Sequence, residues 1–254
     1  MPRLRGRSQP LSLSRRMIGD FLHASRRAVF VTFERVMPLS EIREARDDQP
    51  NRPPWPVLFA KAIGLVAERC PEVRHAYLRW PRPQIYEHHE TVGSVVVAKR
   101  HAGEDFLLIL PMRSPGRSTV KELASIVRRA KESPVSETRA FRRHLRVGRY
   151  PFLLRRPLWG LMEWSGSLRA RQLGTFGISA TAGAGAAALQ LVTPWSAAFC
   201  YDVFRPDGTL PVRLTFDHRV FDGAAACRIL VEMEAALNGP VLRELAMSPV
   251  TTSG

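Results

Sequence analysis

The sequence predicts an α/β fold, because segments with the alternation of strands and segments with helical spacing follow one another along the chain. Residues 84–110 form three short segments of alternating apolar and polar side chains, with a Gly-containing turn, which is typical of strands. Residues 57–69 and 120–130 instead repeat apolar side chains at helical spacing. At 254 residues and 45% hydrophobic content, the chain is long enough for one large domain with a sizeable core.

The elements before residue 84 follow from the same patterns. Residues 1–10 are basic, contain Pro and Gly, and are expected to form a flexible arm. Residues 51–56 are a turn-rich connector, and Pro71 ends the helix that follows it. The predicted elements of this half are a helix over 12–24, a strand over 28–37, a short helix beginning at 38–41 and the helix over 57–69.

Residues 212–223 are the strongest candidate for a chemical site. Apolar side chains alternate with others over residues 212–216, which predicts a strand. Residues 224–237 are rich in Ala and amphipathic, which predicts a helix. Between them lie His218, flanked by charged residues, and Asp222. A His at a strand end can project into a cleft, and a carboxylate suits the N-terminal dipole of the next helix. This setting indicates a general base.

The stretch Asp-His-Arg-Val-Phe-Asp-Gly at 217–223 resembles the D-H-R-x-x-D-G signature of the acyltransferase catalytic domain in 2-oxoacid dehydrogenase complexes. That family is related by fold to chloramphenicol acetyltransferase. In it the His takes the proton from the thiol of coenzyme A or dihydrolipoamide. The resemblance implies that His218 is the base and that Asp222 is a structural carboxylate. Asp222 would hold the loop by an ion pair with an arginine, for which Arg15 and Arg16 are the candidates.

A second match lies at residues 174–180, Gly-Thr-Phe-Gly-Ile-Ser-Ala, which resemble the G-G-T-F-T-I-S strand of the same family. The Ser of that strand donates a hydrogen bond to the oxyanion of the tetrahedral intermediate, and Ser179 occupies its place. Thr181 would replace it if the register were shifted. The alternative interpretation of Ser179 is a strand serine whose hydroxyl is already satisfied.

The resemblance extends from about Leu11 to Leu242 and implies a two-layer α/β sandwich, a mixed β-sheet covered by helices. It implies a trimer or a multiple of a trimer, in which the His and the Ser of one site belong to different subunits. The expected organisation is a basic arm at 1–10, a catalytic domain at 11–242 and a C-terminal tail at 243–254. Neither a lipoyl domain nor a subunit-binding domain is recognised, so a lipoyl protein or acyl carrier protein would act in trans.

Residues 137–172, named here the Arg-rich segment, depart from the resemblance as an insertion. Their clusters of Trp and Leu, flanked by arginine, suit an amphipathic element in an anionic lipid interface. They equally suit a helix pair packed on its own domain or on a neighbouring subunit. Pro151 and Pro157 argue against one long helix lying on a membrane. The arginines are Arg139, Arg142, Arg143, Arg146, Arg149, Arg155, Arg156, Arg169 and Arg171.

The formal charge of +15 favours an anionic partner, either nucleic acid, a membrane surface, an acidic carrier protein or a phosphate-bearing cofactor. Nucleic acid is disfavoured, because the aromatics are not interleaved with basic residues as stacking platforms require. Three scattered cysteines indicate neither a disulfide framework nor a metal site, and we expect no metal. With no signal peptide and no window of about 20 apolar residues, a cytoplasmic location is predicted, with peripheral membrane association as the alternative.

The predicted function is acyl transfer between a thioester, of coenzyme A or of a carrier, and an acceptor. Two alternatives stay open. The chain could be a non-catalytic structural relative, because residues 108–111 match the family's cofactor-channel segment only weakly, and cofactor-binding residues are therefore not assigned. It could also be a membrane-associated lipid acyltransferase that reaches its acceptor through the Arg-rich segment.

Overall fold

The computed structural model of the protein describes residues 8–180 and 188–247. These residues form both strands and helices, as the sequence patterns predict. The strands are β1 Phe30–Pro38, β2 His75–Leu78, β3 Gln84–Glu87, β4 Val92–His101, β5 Glu104–Arg113, β6 Phe176–Ser179, β7 Ala197–Tyr201 and β8 Thr209–Asp217. The helices are α1 Leu13–Ser25, α2 Ser40–Asp47, α3 Trp55–Arg69, α4 Val120–Glu132, α5 Arg139–Arg149, α6 Phe152–Gly160, α7 Gly166–Leu173, α8 Gly223–Ala236 and α9 Leu242–Met247.

Six strands form one mixed sheet in the order β1-β8-β7-β6-β4-β5. β6 runs parallel to both β4 and β7, and the other neighbours are antiparallel. β2 and β3 form a separate antiparallel ribbon. A mixed sheet covered by helices is the two-layer α/β architecture that the sequence predicts.

The two faces of the sheet have different covers, because successive side chains of a strand point to opposite faces. Val95 and Val97 of β4 belong to the main core, which the sheet forms with α3, α4 and α8. Val96 instead packs into a smaller cluster around Ile109 and Trp195. The helices near that second face are α1, α6 and α7, so the sheet is covered on both sides near its β4–β5 edge.

The Arg-rich segment folds into α5, α6, a 3-10 turn over Leu161–Glu163, and α7. Pro151 precedes α6 and Pro157 lies within it, and the chain turns between the short helices. The segment packs on its own domain, since α5 contacts both α1 and β5 and α6 contacts α1. α6 still leaves several apolar side chains exposed, namely Phe152, Leu153 and Leu154. Within the described ranges, no helix combines the length and the apolar character that crossing a membrane requires.

The folded domain continues past Leu242, where the sequence predicts the start of a tail. A π-helical turn over Leu237–Val241 connects α8 to α9. Leu245 of α9 is buried in the main core, and the Glu244 carboxylate accepts a hydrogen bond from the backbone N–H of Val120. The predicted boundary is therefore wrong for residues 243–247, because the apolar face of α9 packs on the domain. The arm residues 1–7 and the tail residues 248–254 lie outside the described ranges.

Candidate active site

His218 lies in the turn that follows β8, with its backbone fixed and its side chain exposed. Its N–H donates to the Val29 carbonyl at 2.7 Å, which ties the turn to the start of β1. The ring of Phe216 lies 5.7 Å from the imidazole, between centroids, and stacks on Phe221 at 4.7 Å. In the part of the chain that the structure describes, no side chain hydrogen bonds to the imidazole of His218. A fixed backbone and an exposed, unbonded imidazole are what a base for an incoming substrate requires.

Asp217 and Arg219 flank this histidine and form an ion pair. Arg219 Nε lies 2.9 Å from Asp217 Oδ1, and Nη2 lies 2.6 Å from Oδ2. The Asp217 carboxylate is buried, and its proximity raises the pKa of Arg219. The guanidinium also lies 4.2 Å from the centroid of the Tyr77 ring. The charged residues of the signature thus brace the turn that carries His218.

Asp222 caps α8, as its place at the start of a predicted helix indicates, but it does not form the expected ion pair. Its carboxylate accepts the backbone N–H of Ala225 at 2.9 Å. Over residues 8–180 and 188–247 no arginine pairs with Asp222, and neither Arg15 nor Arg16 contacts it. The free N–H groups in the first turn of a helix attract the carboxylate instead. Gly223 follows because a Cβ there would lie 2.8 Å from the Phe33 ring.

Ser179 ends β6, half-buried, at the edge of a cavity. Its hydroxyl finds no hydrogen-bond partner among the described residues, so it is available to a bound group. Thr181, the alternative donor, lies outside the described residues. The described residues therefore do not satisfy the Ser179 hydroxyl, contrary to the alternative interpretation of a serine already bonded within the fold.

One subunit does not bring Ser179 and His218 together. Ser179 pairs with Cys200 of β7, and Cys200 pairs with Arg213 of β8. His218 follows Arg213 by five residues along the same strand and its turn. At about 3.4 Å per residue, the two positions are displaced by ~17 Å along the sheet, in addition to two strand spacings across it. A site that uses both residues needs a second copy of the chain.

Beside Ser179 lies a cavity of about 410 Å³, named here the apolar cavity. α1, α5, α6, α7 and the second face of the sheet enclose it. Sequence reasoning missed it, because its wall is assembled from four distant parts of the chain. The available signal was the Trp and Leu content of the Arg-rich segment, which we interpreted as packing or lipid contact. Residues that form its wall include Phe21, Val96, Ile109, Leu158, Trp159 and Trp195.

Few ionisable groups line the apolar cavity, namely Asp20, Arg143 and His144. Burial, with the nearby Arg143, lowers the pKa of His144 to about 4, so this imidazole is neutral at pH 7. Burial also lowers the pKa of Arg143. Asp20, 2% exposed, is neutralised by ion pairs with Arg155 and Arg156. The wall is mainly apolar side chains and is therefore suited to a hydrocarbon-rich ligand.

Arg169 of α7 connects the Arg-rich segment to the surroundings of the His218 turn. Its guanidinium donates to the carbonyl of Tyr77 at 3.1 Å and to the carbonyl of Pro194. Burial lowers the pKa of Arg169 to about 10, against the opposing effect of Asp217. Among the described residues, no group of three or more His, Cys, Asp or Glu side chains could hold a metal ion.

Solved structures with the same fold include cores of 2-oxoacid dehydrogenase multienzyme complexes. The cubic core of the pyruvate dehydrogenase multienzyme complex aligns with a TM-score of 0.67 at 18% identity, over 97% of this chain and 100% of that one. Azotobacter vinelandii dihydrolipoamide acetyltransferase aligns with a TM-score of 0.66 at 17% identity, over 97% and 99%. A truncated catalytic core of the Thermoplasma acidophilum 2-oxoacid dehydrogenase multienzyme complex gives 0.67 at 14% identity, over 92% and 99%.

These likenesses establish the fold, and they confirm the architecture that the signature at 217–223 implies. No protein-family model matches the sequence, and no curated protein matches it. The likeness is therefore established by the three-dimensional structure.

Proposed function

We propose that the protein is an acyltransferase that moves an acyl group from a thioester to an acceptor, with His218 as general base. The observation that carries the proposal is the exposed imidazole of His218, in a turn where the flanking Asp217 and Arg219 form an ion pair within a complete signature. The fold is that of dihydrolipoamide acetyltransferase cores, which supports the same chemistry. The non-catalytic alternative does not account for a braced turn around an unbonded imidazole.

The roles of Ser179 and Asp222 rest on the same comparison. The Azotobacter vinelandii enzyme was investigated for the role of a serine, a histidine and an asparagine in its catalytic mechanism, the asparagine four positions after the histidine. Here Asp222 stands four positions after His218, and Ser179 precedes both. We assign oxyanion stabilisation to Ser179 and a structural role to Asp222, which fixes the start of α8.

The proposed reaction passes through a ternary complex of thioester, acceptor and enzyme. His218 takes the proton of the acceptor's thiol, hydroxyl or amine as that atom attacks the thioester carbonyl. The tetrahedral oxyanion accepts a hydrogen bond from the Ser179 hydroxyl. Collapse expels the donor's thiolate, which takes the proton from the imidazolium, so the base is regenerated.

We infer that the working unit is a homotrimer or a multiple of one, in which each site takes Ser179 from one copy and His218 from the next. The displacement of these residues within a chain supports this assembly. So does the likeness to a cubic core of a multienzyme complex. We further propose that the donor is coenzyme A or an acyl-bearing carrier or lipoyl protein, and that the protein works in the cytoplasm. The net charge of +15 favours a phosphate-bearing or acidic donor.

The experiment that tests the proposal is formation of free coenzyme A, separated by chromatography, from acyl-coenzyme A donors with dihydrolipoamide as acceptor, by wild-type protein and His218→Ala. Loss of a general base typically costs roughly 10²–10⁴ in rate. We expect a loss in that range with unchanged circular dichroism and native mass. Carrier-bound donors are assayed in parallel. Failure of the wild type to turn over any of these donors, or equal rates for wild type and His218→Ala, would overturn the proposal.

A further inference from the structure

We propose that the apolar cavity binds the hydrocarbon chain of the acyl group, so that the preferred donor is a thioester of a medium-length or longer fatty acid rather than of acetate. This inference rests on the proposed acyl transfer and names its substrate class. The cavity adjoins Ser179, and its volume of about 410 Å³ lies within the range of small-molecule sites.

The wall of the cavity has the chemistry of a hydrocarbon site. Phe21 packs edge-on against Trp159, with centroids 6.3 Å apart, and against Trp195, with centroids 5.4 Å apart. Aliphatic side chains of the sheet and of the Arg-rich segment form the rest of the wall, among them Ile109 and Leu158. An alkyl chain gains free energy with each methylene that leaves water for such a wall.

The position of Ser179 decides which part of the substrate enters the apolar cavity. When Ser179 donates to the oxyanion, the reacting carbon lies at the edge of the cavity and carries sulfur, the attacking atom and the acyl chain. The sulfur leads to a polar and, in coenzyme A, phosphorylated group, whose burial among apolar side chains is costly. The attacking atom must face His218, which is remote from Ser179 within the chain. The acyl chain is the substituent that matches the cavity.

Charged contacts hold the cavity open. The buried Asp20 of α1 pairs with Arg155 and Arg156 of α6, and Arg155 Nη1 also donates to the Gly148 carbonyl at 3.3 Å. Arg169 holds α7 to the carbonyls of Tyr77 and Pro194. Removal of one partner of a buried pair is strongly destabilising, so these contacts oppose collapse of α6 and α7 onto the sheet. A cavity that cannot collapse lowers the stability of the folded protein while it is empty. A ligand that fills the cavity raises the stability of the folded protein.

The first test is donor selectivity, measured as kcat/KM for acetyl-, butyryl-, hexanoyl-, octanoyl- and decanoyl-coenzyme A. Each methylene that enters the cavity should raise kcat/KM about fourfold, until the cavity is full. Leu158→Trp, which adds volume at the wall, should lower the octanoyl-to-acetyl ratio at least tenfold. Leu154→Trp is the matched control, because Leu154 lies on the same helix, is 61% exposed and does not line the cavity. It should leave the ratio unchanged.

The second test does not depend on turnover. A decanoic acid brominated along its chain should quench the fluorescence of Trp159 and Trp195 with a saturable dependence on its concentration, and Trp159→Phe should reduce the quenching. Turnover that falls with each methylene, without quenching, would overturn the assignment of the cavity and leave acyl transfer standing. Flat donor selectivity with strong quenching would overturn it in favour of an apolar acceptor. Absence of turnover with every donor would overturn acyl transfer itself.

Discussion

At the residue scale, His218 and Ser179 share one property, a fixed backbone that carries a side chain without a partner. The N–H of His218 is bonded to Val29, and Ser179 is the last residue of β6, paired with Cys200. Fixing the backbone removes most of the entropy that positioning a catalytic group would otherwise cost. The polar atoms of the side chains remain available to substrate. This combination distinguishes the two residues from serines and histidines that are bonded within the fold.

Ser179→Ala tests the oxyanion role at this scale. Loss of one oxyanion donor typically lowers kcat by roughly 10²–10³. We expect that loss in kcat with little change in the dissociation constant of the donor, because the hydrogen bond strengthens in the transition state. The matched control is Ser125→Ala, a serine on the exposed face of α4. If both variants keep full kcat, Ser179 is only a strand residue.

The sequence predicted the local elements around the candidate residues better than the contacts of their side chains. The motif residues stand next to one another in the chain, so their order alone indicated a strand, a histidine and a helix start. The partner of Asp222 is different, because it depends on the direction of one carboxylate. A backbone N–H three residues away competes with any arginine, and here the local partner prevails.

At the element scale, the Arg-rich segment functions as a wall held by charges. Asp20 binds α6 to α1 through Arg155, and Arg169 binds α7 to the loop before β7 and to β2. These partners are distant in sequence, so periodicity could predict the helices but not their places. By contrast, the strong local patterns of residues 57–69 and 120–130 match α3 and α4 closely. Local patterns predict elements, whereas long-range contacts decide what the elements enclose.

His88 follows β3 and lies near Arg169 of α7. Its burial predicts how the stability of the protein depends on pH. His88 is 6% exposed and packs edge-on against Tyr86, with centroids 4.7 Å apart. Burial, with the nearby Arg169, Arg74 and His89, lowers its pKa to about 4. The unfolded chain binds the proton near pH 6.5, whereas the folded chain resists it. His88 therefore favours folding above pH 6.5, and this contribution is lost as the pH falls towards 4.

The expected loss from His88 alone is about 3 kcal/mol between pH 6.5 and 4, from the difference in pKa. Burial also lowers the pKa of His144 to about 4, so this residue adds to the change of unfolding free energy with pH. The measurement is the free energy of unfolding in urea across this range for wild type, His88→Gln and His89→Gln. His88→Gln should flatten the slope, whereas the exposed His89 should matter far less. A slope unaffected by His88→Gln contradicts the prediction.

At the scale of the whole molecule, the sheet register is the main constraint on function. The register places Ser179 level with Arg213, midway along β8 and two strands away from it, whereas His218 lies beyond the end of β8. No rotation of side chains closes a displacement of ~17 Å, which corresponds to five residues of extended strand. The proposed ring of identical subunits would bring the two residues together, since a heterologous interface places different surfaces of two copies against each other.

Mixing two inactive variants tests this arrangement. In a trimer of His218→Ala and Ser179→Ala chains, a site is intact when its Ser179 comes from the first variant and its His218 from the second. With equal amounts and random exchange, about one quarter of sites are intact, because each condition holds for half of the chains. Co-expression, or joint unfolding and refolding, should therefore restore about a quarter of wild-type kcat/KM, from two preparations each reduced at least a hundredfold. The control is wild type mixed in equal amounts with the double variant, where a shared site again needs two wild-type neighbours, so about one quarter of sites stay active instead of the half expected for sites within one chain. Native mass verifies that mixed trimers have formed. If such trimers recover no activity, Ser179 and His218 do not act together in one site between subunits.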